Sequence, residues 1–245
     1  MIVAHEFSVH SIQAVAFVSG EPVRPANILL HVLRHYGEVY DGDPISIPLP
    51  ADVPPEFPSV ILSSRDGSLR IDVARTMVSL TWASDTTSDS ASLERIYAVF
   101  AERLTRIFEE VVDAGKSTVG RIGAVVSRRA VIENPGRTLA RQFCRDEMLG
   151  EQGPLNRPEG FELHAHKVFE LPSEVNVNSW MRIRSVQDAE NVYRYVSVQQ
   201  DMNTLAEEST QHNFVGRELA TILSEMSMEF DIVLERYFPS RLQGV

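Results

Sequence analysis

The sequence predicts an α+β fold: two tandem βαββα-like units with mainly antiparallel sheet packed by long helices. Three observations carry that expectation. The chain restates itself, with Ile12-x-Ala14-Val15 returning as Ile122-x-Ala124-Val125 and Pro25-x3-Leu29 as Pro135-x3-Leu139, both at an offset of 110 residues. A long apolar helix pattern also recurs, shifted by 126: Leu93, Ile96, Tyr97, Phe100, Leu104, Ile107 and Phe108 against Leu219, Ile222, Leu223, Met226, Phe230, Val233 and Leu234. Finally, strand patterns follow one another directly instead of alternating strictly with helices, which favours antiparallel pairing. The difference between the offsets places about 16 extra residues in the second copy. The expected division is 1–115 for the first unit and 116–245 for the second, which carries an extra strand, the two being separate or one continuous domain.

Residues 6–19 alternate as a strand, with Ile12, Ala14, Ala16 and Val18 on one face. Pro22 and Pro25 punctuate, and Ile28, Leu29, Val32 and Leu33 mark a short helix ending near Gly37. Residues 41–58 contain six prolines and read as an extended loop. Val60 to Ser64 and Leu69 to Trp82 read as two strands joined by Arg65-Asp66-Gly67-Ser68, Asp-Gly being a strong hairpin signal. The polar stretch Ser84 to Ser92 offers N-caps for a helix that runs to about Asp113 and stops at Gly115. The second unit opens with a strand at Thr118–Val131, then a helix from Pro135, suited to a first helical turn, to about Met148. A loop at 150–160 leads to strands near 161–170, 175–185 and 192–200. A final helix runs from roughly Phe214 to Phe238.

Composition narrows the function classes. The chain has 245 residues, 43% of them hydrophobic, enough for a substantial core. It has no apolar run of 18 residues and no leader pattern at Met1, and its single cysteine, Cys144, fits a reducing compartment. A cytoplasmic, non-membrane protein is therefore expected. The net charge of −11 argues against general nucleic-acid binding, which needs surplus Lys and Arg to neutralise phosphates. The charge is uneven: residues 1–115 hold 8 basic and 16 acidic side chains, residues 116–245 hold 15 and 18. Local basic patches can thus survive in the second half.

No phosphate-cradling Gly-x4-Gly-Lys-Ser/Thr loop, Gly-x-Gly-x-x-Gly turn or Gly-x-Ser-x-Gly elbow occurs. Cys144, beside Phe143 in an apolar phase, reads as a packing thiol. Glu162-x-His164-x-His166 sits at period-two spacing on an expected strand, so its three side chains share a face. Two imidazoles and a carboxylate could ligate zinc or another transition metal there; the plainer reading is a solvated face without metal. Arginines form a second candidate: Arg121, Arg128 and Arg129 on the opening strand, Arg137, Arg141 and Arg145 as a helical stripe, and Arg182, Arg184 and Arg194 beyond. Such groups suit an anion or acidic partner, or pair internally with the many carboxylates. Asn176, Asn178, Trp180 and Arg182 share a strand face that could lie beside His164 and His166. That surface is the first place to look for a ligand.

The sequence resembles an uncharacterised bacterial family of about this length, sporadically distributed across genomes. The resemblance rests on Phe57-Pro58, Arg121-Ile122-Gly123, Val177-Asn178-Ser179-Trp180 with Arg182, and Asp201-Met202-Asn203-Thr204. It implies no assigned activity and no catalytic residue; its context points to companions of neighbouring genes in toxin–antitoxin or phage-defence clusters. The reading that results is a non-enzymatic protein, chaperone- or antitoxin-like, that binds a partner protein, a basic one on overall charge. Self-association is compatible with this reading, and no cofactor is implied. The expected binding residues are Trp180, Arg182, Tyr193, Tyr195, Arg128 and Arg129. The alternative is a metal-dependent enzyme or sensor using Glu162, His164 and His166.

Overall fold

The computed structural model describes residues 1–50, 52–84, 92–111 and 116–240. After a 3-10 turn at Ala4–Glu6 come β1 (Ser8–Gly20), α1 (Pro25–Tyr36), β2 (Ile45–Ser46), β3 (Val60–Ser63), β4 (Leu69–Val73), β5 (Met77–Ala83) and α2 (Leu93–Val111). The second half runs β6 (Ser117–Val131), α3 (Pro135–Phe143), α4 (Asp146–Leu149), β7 (Glu162–Glu170), β8 (Asn176–Gln187), β9 (Tyr193–Thr204), a 3-10 turn at Ala206–Glu208 and α5 (Arg217–Tyr237). The nine strands form one antiparallel sheet in the order β2-β3-β4-β5-β1-β6-β9-β8-β7. Both halves thus contribute to a single sheet, joined where β1 pairs with β6.

Two boundaries differ from expectation. The span Leu69–Trp82 is not one strand but β4 and β5, joined by a tight turn in which Ala74 N–H donates to the Met77 carbonyl. Val-Ala-Arg-Thr-Met contains no Gly, Pro, Asn or Asp to announce a turn. Tertiary contacts hold it instead: Arg75 N–H donates to Pro55 O, its guanidinium to Val53 O, and its carbonyl accepts from Val23 N–H. Consequently the second half has no extra strand. Each half is β-α-β-β-β-α in the main sheet, with strand orders β3-β4-β5-β1 and β7-β8-β9-β6, and the short β2 is an addition to the first. The helix expected over Pro135–Met148 is also interrupted, because Cys144 is extended (φ −110°, ψ 156°) and α4 begins afresh. Arg145 therefore leaves the stripe of Arg137 and Arg141, and Cys144 is half-buried at a helix end. Residues 85–91, which hold most of the expected N-caps of α2, and its expected stop at 113–115 lie outside the described residues.

Across the central seam Ala14 pairs with Ala124, its own counterpart at offset 110, and Ile12 and Val126 lie beside them. All four side chains are fully buried. The two long helices pack on each other and over this seam. Phe100, Leu104 and Ile107 of α2 and Met226, Phe230 and Val233 of α5 are buried, as the helical spacing predicts. Tyr97 stacks on Phe230 with ring centroids 6.1 Å apart. Its hydroxyl donates to the Val125 carbonyl at 2.9 Å, so a fully buried phenol is satisfied on the central strand. α1 flanks this layer against β3 and α2, and α3 packs against β8 and β9.

Candidate functional site

Because strand side chains alternate, the residues between the buried ones project from the other side of the sheet. On β8 the helix side takes Val177, Ser179, Met181 and Ile183, all buried, and the opposite side takes Asn178, Trp180, Arg182 and Arg184. Strand register then sets their neighbours in rows. Val168, Asn178, Asn203, Gly123 and Val15 form one row, and His166, Trp180, Asp201, Val125 and Gln13 the next. His164, Arg182, Gln199 and Ser127 follow, then Glu162, Arg184, Ser197 and Arg129. Val186, Tyr195 and Val131 close the surface, with Tyr193 beyond them on β9. The expected juxtaposition of the Asn178–Arg182 face with His164 and His166 is thus what the pairing produces.

Three of the short segments quoted for the family resemblance meet on this face. Arg121 and Gly123 of β6, Asn178, Trp180 and Arg182 of β8, and Asp201 and Asn203 of β9 come from three adjacent strands. Arg121 lies over the Phe17 ring at 4.7 Å, donates to Asn203 Oδ1 at 2.7 Å and to the Thr204 carbonyl at 3.2 Å. Asn203 in turn donates to Asp201 Oδ1 at 3.2 Å. These contacts fix the polar centre of the face and leave its rim less constrained.

On that rim the Trp180 indole is 37% exposed and stacks on the His166 imidazole, centroids 4.0 Å apart and planes 18° from parallel. His166 Nε2 lies 3.1 Å from Asn178 Oδ1. His164 Nε2 lies 2.7 Å from Glu162 Oε1, and this hydrogen bond is the main reason the Glu162 carboxyl is held below its ordinary range. The two imidazoles therefore face different partners. Among the described residues, the His, Cys, Asp and Glu side chains whose ligand atoms gather within 4.8 Å are His31, His35 and Glu110, not Glu162, His164 and His166. The sequence carried a signal for that cluster, His31-x3-His35 on an expected helix, but its carboxylate is 75 positions further on.

Arg128 and Arg129 separate. Arg129 is exposed in the row of Arg184, and Arg128 points to the helix side and is 2% exposed. Its guanidinium donates to Gln200 Oε1 and, at 2.6 Å, to Asp231 Oδ1 on α5. Gln200 Nε2 donates to the Phe230 carbonyl at 2.8 Å, completing a link from sheet to helix. Burial pulls the Arg128 pKa down, opposed by Asp231. Arg128 thus belongs to the core and does not reach the surface with Trp180; adjacent strand positions face opposite ways, and Arg128 is in phase with the buried Ile122, Ala124 and Val126. Arg194 braces the β8–β9 turn through Asp188 (2.8 Å) and Glu190 (3.2 Å). Arg137 and Arg141 line a separate cleft of about 410 Å³ beside Arg157. Among the described residues no ion pair holds Arg129, Arg182 or Arg184.

Neither a protein-family model nor a curated protein matches the chain. Among the described residues no helix is long and apolar enough to cross a membrane.

Proposed function

We propose that this protein acts by binding a partner protein through the outer face of β7, β8, β9 and β6. One observation carries the reading: an exposed Trp180–His166 stack stands beside three arginines, Arg129, Arg182 and Arg184, that form no salt bridge among the described residues, although Arg182 and Arg184 lie close enough to Glu162 to help hold its carboxyl below the ordinary range. Tryptophan and arginine dominate interface energetics because one buries a large rigid surface and the other binds carboxylates bidentately. Tyr195, Val131 and Val168 supply apolar surface at the margins, the two valines being well exposed. Although the whole chain is acidic, this patch is locally basic. An acidic segment of a partner is the chemistry that complements it, in place of the basic partner that net charge alone suggests.

The companion role implied by the family resemblance, chaperone- or antitoxin-like and cytoplasmic, is the form we propose this binding takes. We also infer that the two halves arose by internal duplication. Their identical strand order and the self-pairing of Ala14 with Ala124 support it.

The test compares wild type with Arg182→Glu and Trp180→Ala as baits in lysate of the native host. Both variants should lose the same captured acidic protein while melting within a few degrees of wild type, and capture should weaken with added salt. Identical captures by wild type and both variants would refute the assignment of this face.

A further inference from the structure

The far side of the molecule carries a second arrangement, independent of the sheet face. Helix α1 places His31 and His35 one turn apart on the same side, their ring centroids 4.6 Å apart. Glu110 of α2 approaches both. Its Oε2 lies 3.5 Å from His31 Nδ1 and 3.6 Å from His35 Nε2, nearly equidistant, while Arg106 Nε donates to its other oxygen at 3.1 Å. These separations are long for direct hydrogen bonds. They do match the edges of a coordination tetrahedron. Dividing 3.5 and 3.6 Å by the edge-to-radius ratio gives metal–ligand bonds of ~2.1–2.2 Å, close to the usual zinc–nitrogen and zinc–oxygen lengths.

The remaining edge, between the imidazoles, belongs to a set of ligand atoms all within 4.8 Å of one another, and it closes by rotation of the part-exposed His35. His31 is 8% exposed, and its Nε2 is buried without a hydrogen-bond partner among the described residues. Burial first, and then the neighbouring His35, pull the His31 pKa below the usual histidine range, against the opposing pull of Glu110.

We propose that His31, His35 and Glu110 bind one divalent transition-metal ion of the zinc type, with a fourth position open to water or an exogenous ligand. Two imidazoles and one carboxylate suit borderline metals of this class better than magnesium or calcium, which prefer all-oxygen shells. Arg106 is the positioning residue: by occupying Oε1 it turns Oε2 toward the imidazoles. The ion would clamp α1 to α2 and so stabilise the folded chain in proportion to its saturation.

The experiment uses the full-length chain without a histidine tag, stripped with chelator and titrated with Zn²⁺ by calorimetry, and with Co²⁺ by visible absorption. Wild type should bind one equivalent of either ion, with a rise in melting temperature. His35→Ala and Glu110→Gln, at part-exposed positions, should keep the metal-free melting temperature and lose saturable binding. Arg106→Leu should weaken binding by about 10–100-fold, and His164→Ala/His166→Ala should bind like wild type. Absence of one-equivalent binding by wild type, unchanged binding in His35→Ala and Glu110→Gln, or loss confined to the His164/His166 pair would each overturn the site.

Discussion

The link between Arg128 and α5 makes a prediction in which the exposed partner matters more than the buried one. Arg128 has 3% side-chain exposure and Asp231 70%, yet they meet at 2.6 Å. Replacing Asp231 by Ala leaves a buried guanidinium without its counter-charge, a class of change that costs about 3–5 kcal/mol. Because Asp231 sits at the rim, water can reach part of the vacated space, which places this case near ~3 kcal/mol. Replacing Arg128 by Met instead removes the charge and keeps most of the volume. Asp231 then returns to solvent at little cost, and only the Gln200 Oε1 acceptor is stranded, at about 1–3 kcal/mol. Relief of guanidinium desolvation offsets that loss, so a net change near ~1 kcal/mol follows.

Urea denaturation of wild type, the two single variants and the double variant gives both values and the coupling. Asp231→Ala should be the more damaging single change, and Asp231→Ala in the Arg128→Met background should cost less than about 0.5 kcal/mol, as a surface substitution does. If Arg128→Met proves worse than Asp231→Ala by more than about 1 kcal/mol, packing or the Gln200 hydrogen bond governs the link and the charge argument fails.

Other outcomes test neighbouring parts of the argument. Phe230→Ala and Phe100→Ala should each cost about 3–5 kcal/mol by denaturation, since both rings are buried under the central strands; a loss below about 1 kcal/mol would mean those helix faces do not pack as described. Asp66 accepts from Ser64 Oγ, from Ser68 Oγ and from Ser68 N–H, and these bonds hold its carboxyl below the ordinary range. Its contribution is therefore complete above the unfolded value of about 3.9 and is lost as pH falls through the lower native one, so the stability gap between wild type and Asp66→Asn should shrink on acidification. Gly136→Ala should impair folding, because its Cβ would meet the Glu159 carbonyl oxygen at 2.2 Å; near-normal expression and melting temperature would show that the 158–159 loop yields freely.

Periodicity made the local part of the fold legible in the chain. The long helices announced their buried faces, β1 and β6 their alternation, and Asp66-Gly67 its hairpin, since each signal lies within a few residues of its effect. The sharing of a face by Asn178, Trp180 and Arg182 was legible for the same reason. The turn at Ala74–Met77 was not, because backbone partners from the 53–55 loop impose it on residues with no turn preference of their own. Spacing already put Arg128 in the phase of Ile122, Ala124 and Val126 and Arg129 in the other; only the packing of α5 supplies the buried guanidinium with its partner, Asp231. The cluster of His31, His35 and Glu110 is the clearest case of tertiary decision. His31 and His35 share a helix face by their i, i+4 spacing, but only the packing of α1 on α2 brings the carboxylate to them. Likewise the sheet alone decided that the halves join through Ala14 and Ala124, because inter-strand pairing is a long-range choice that no local pattern records.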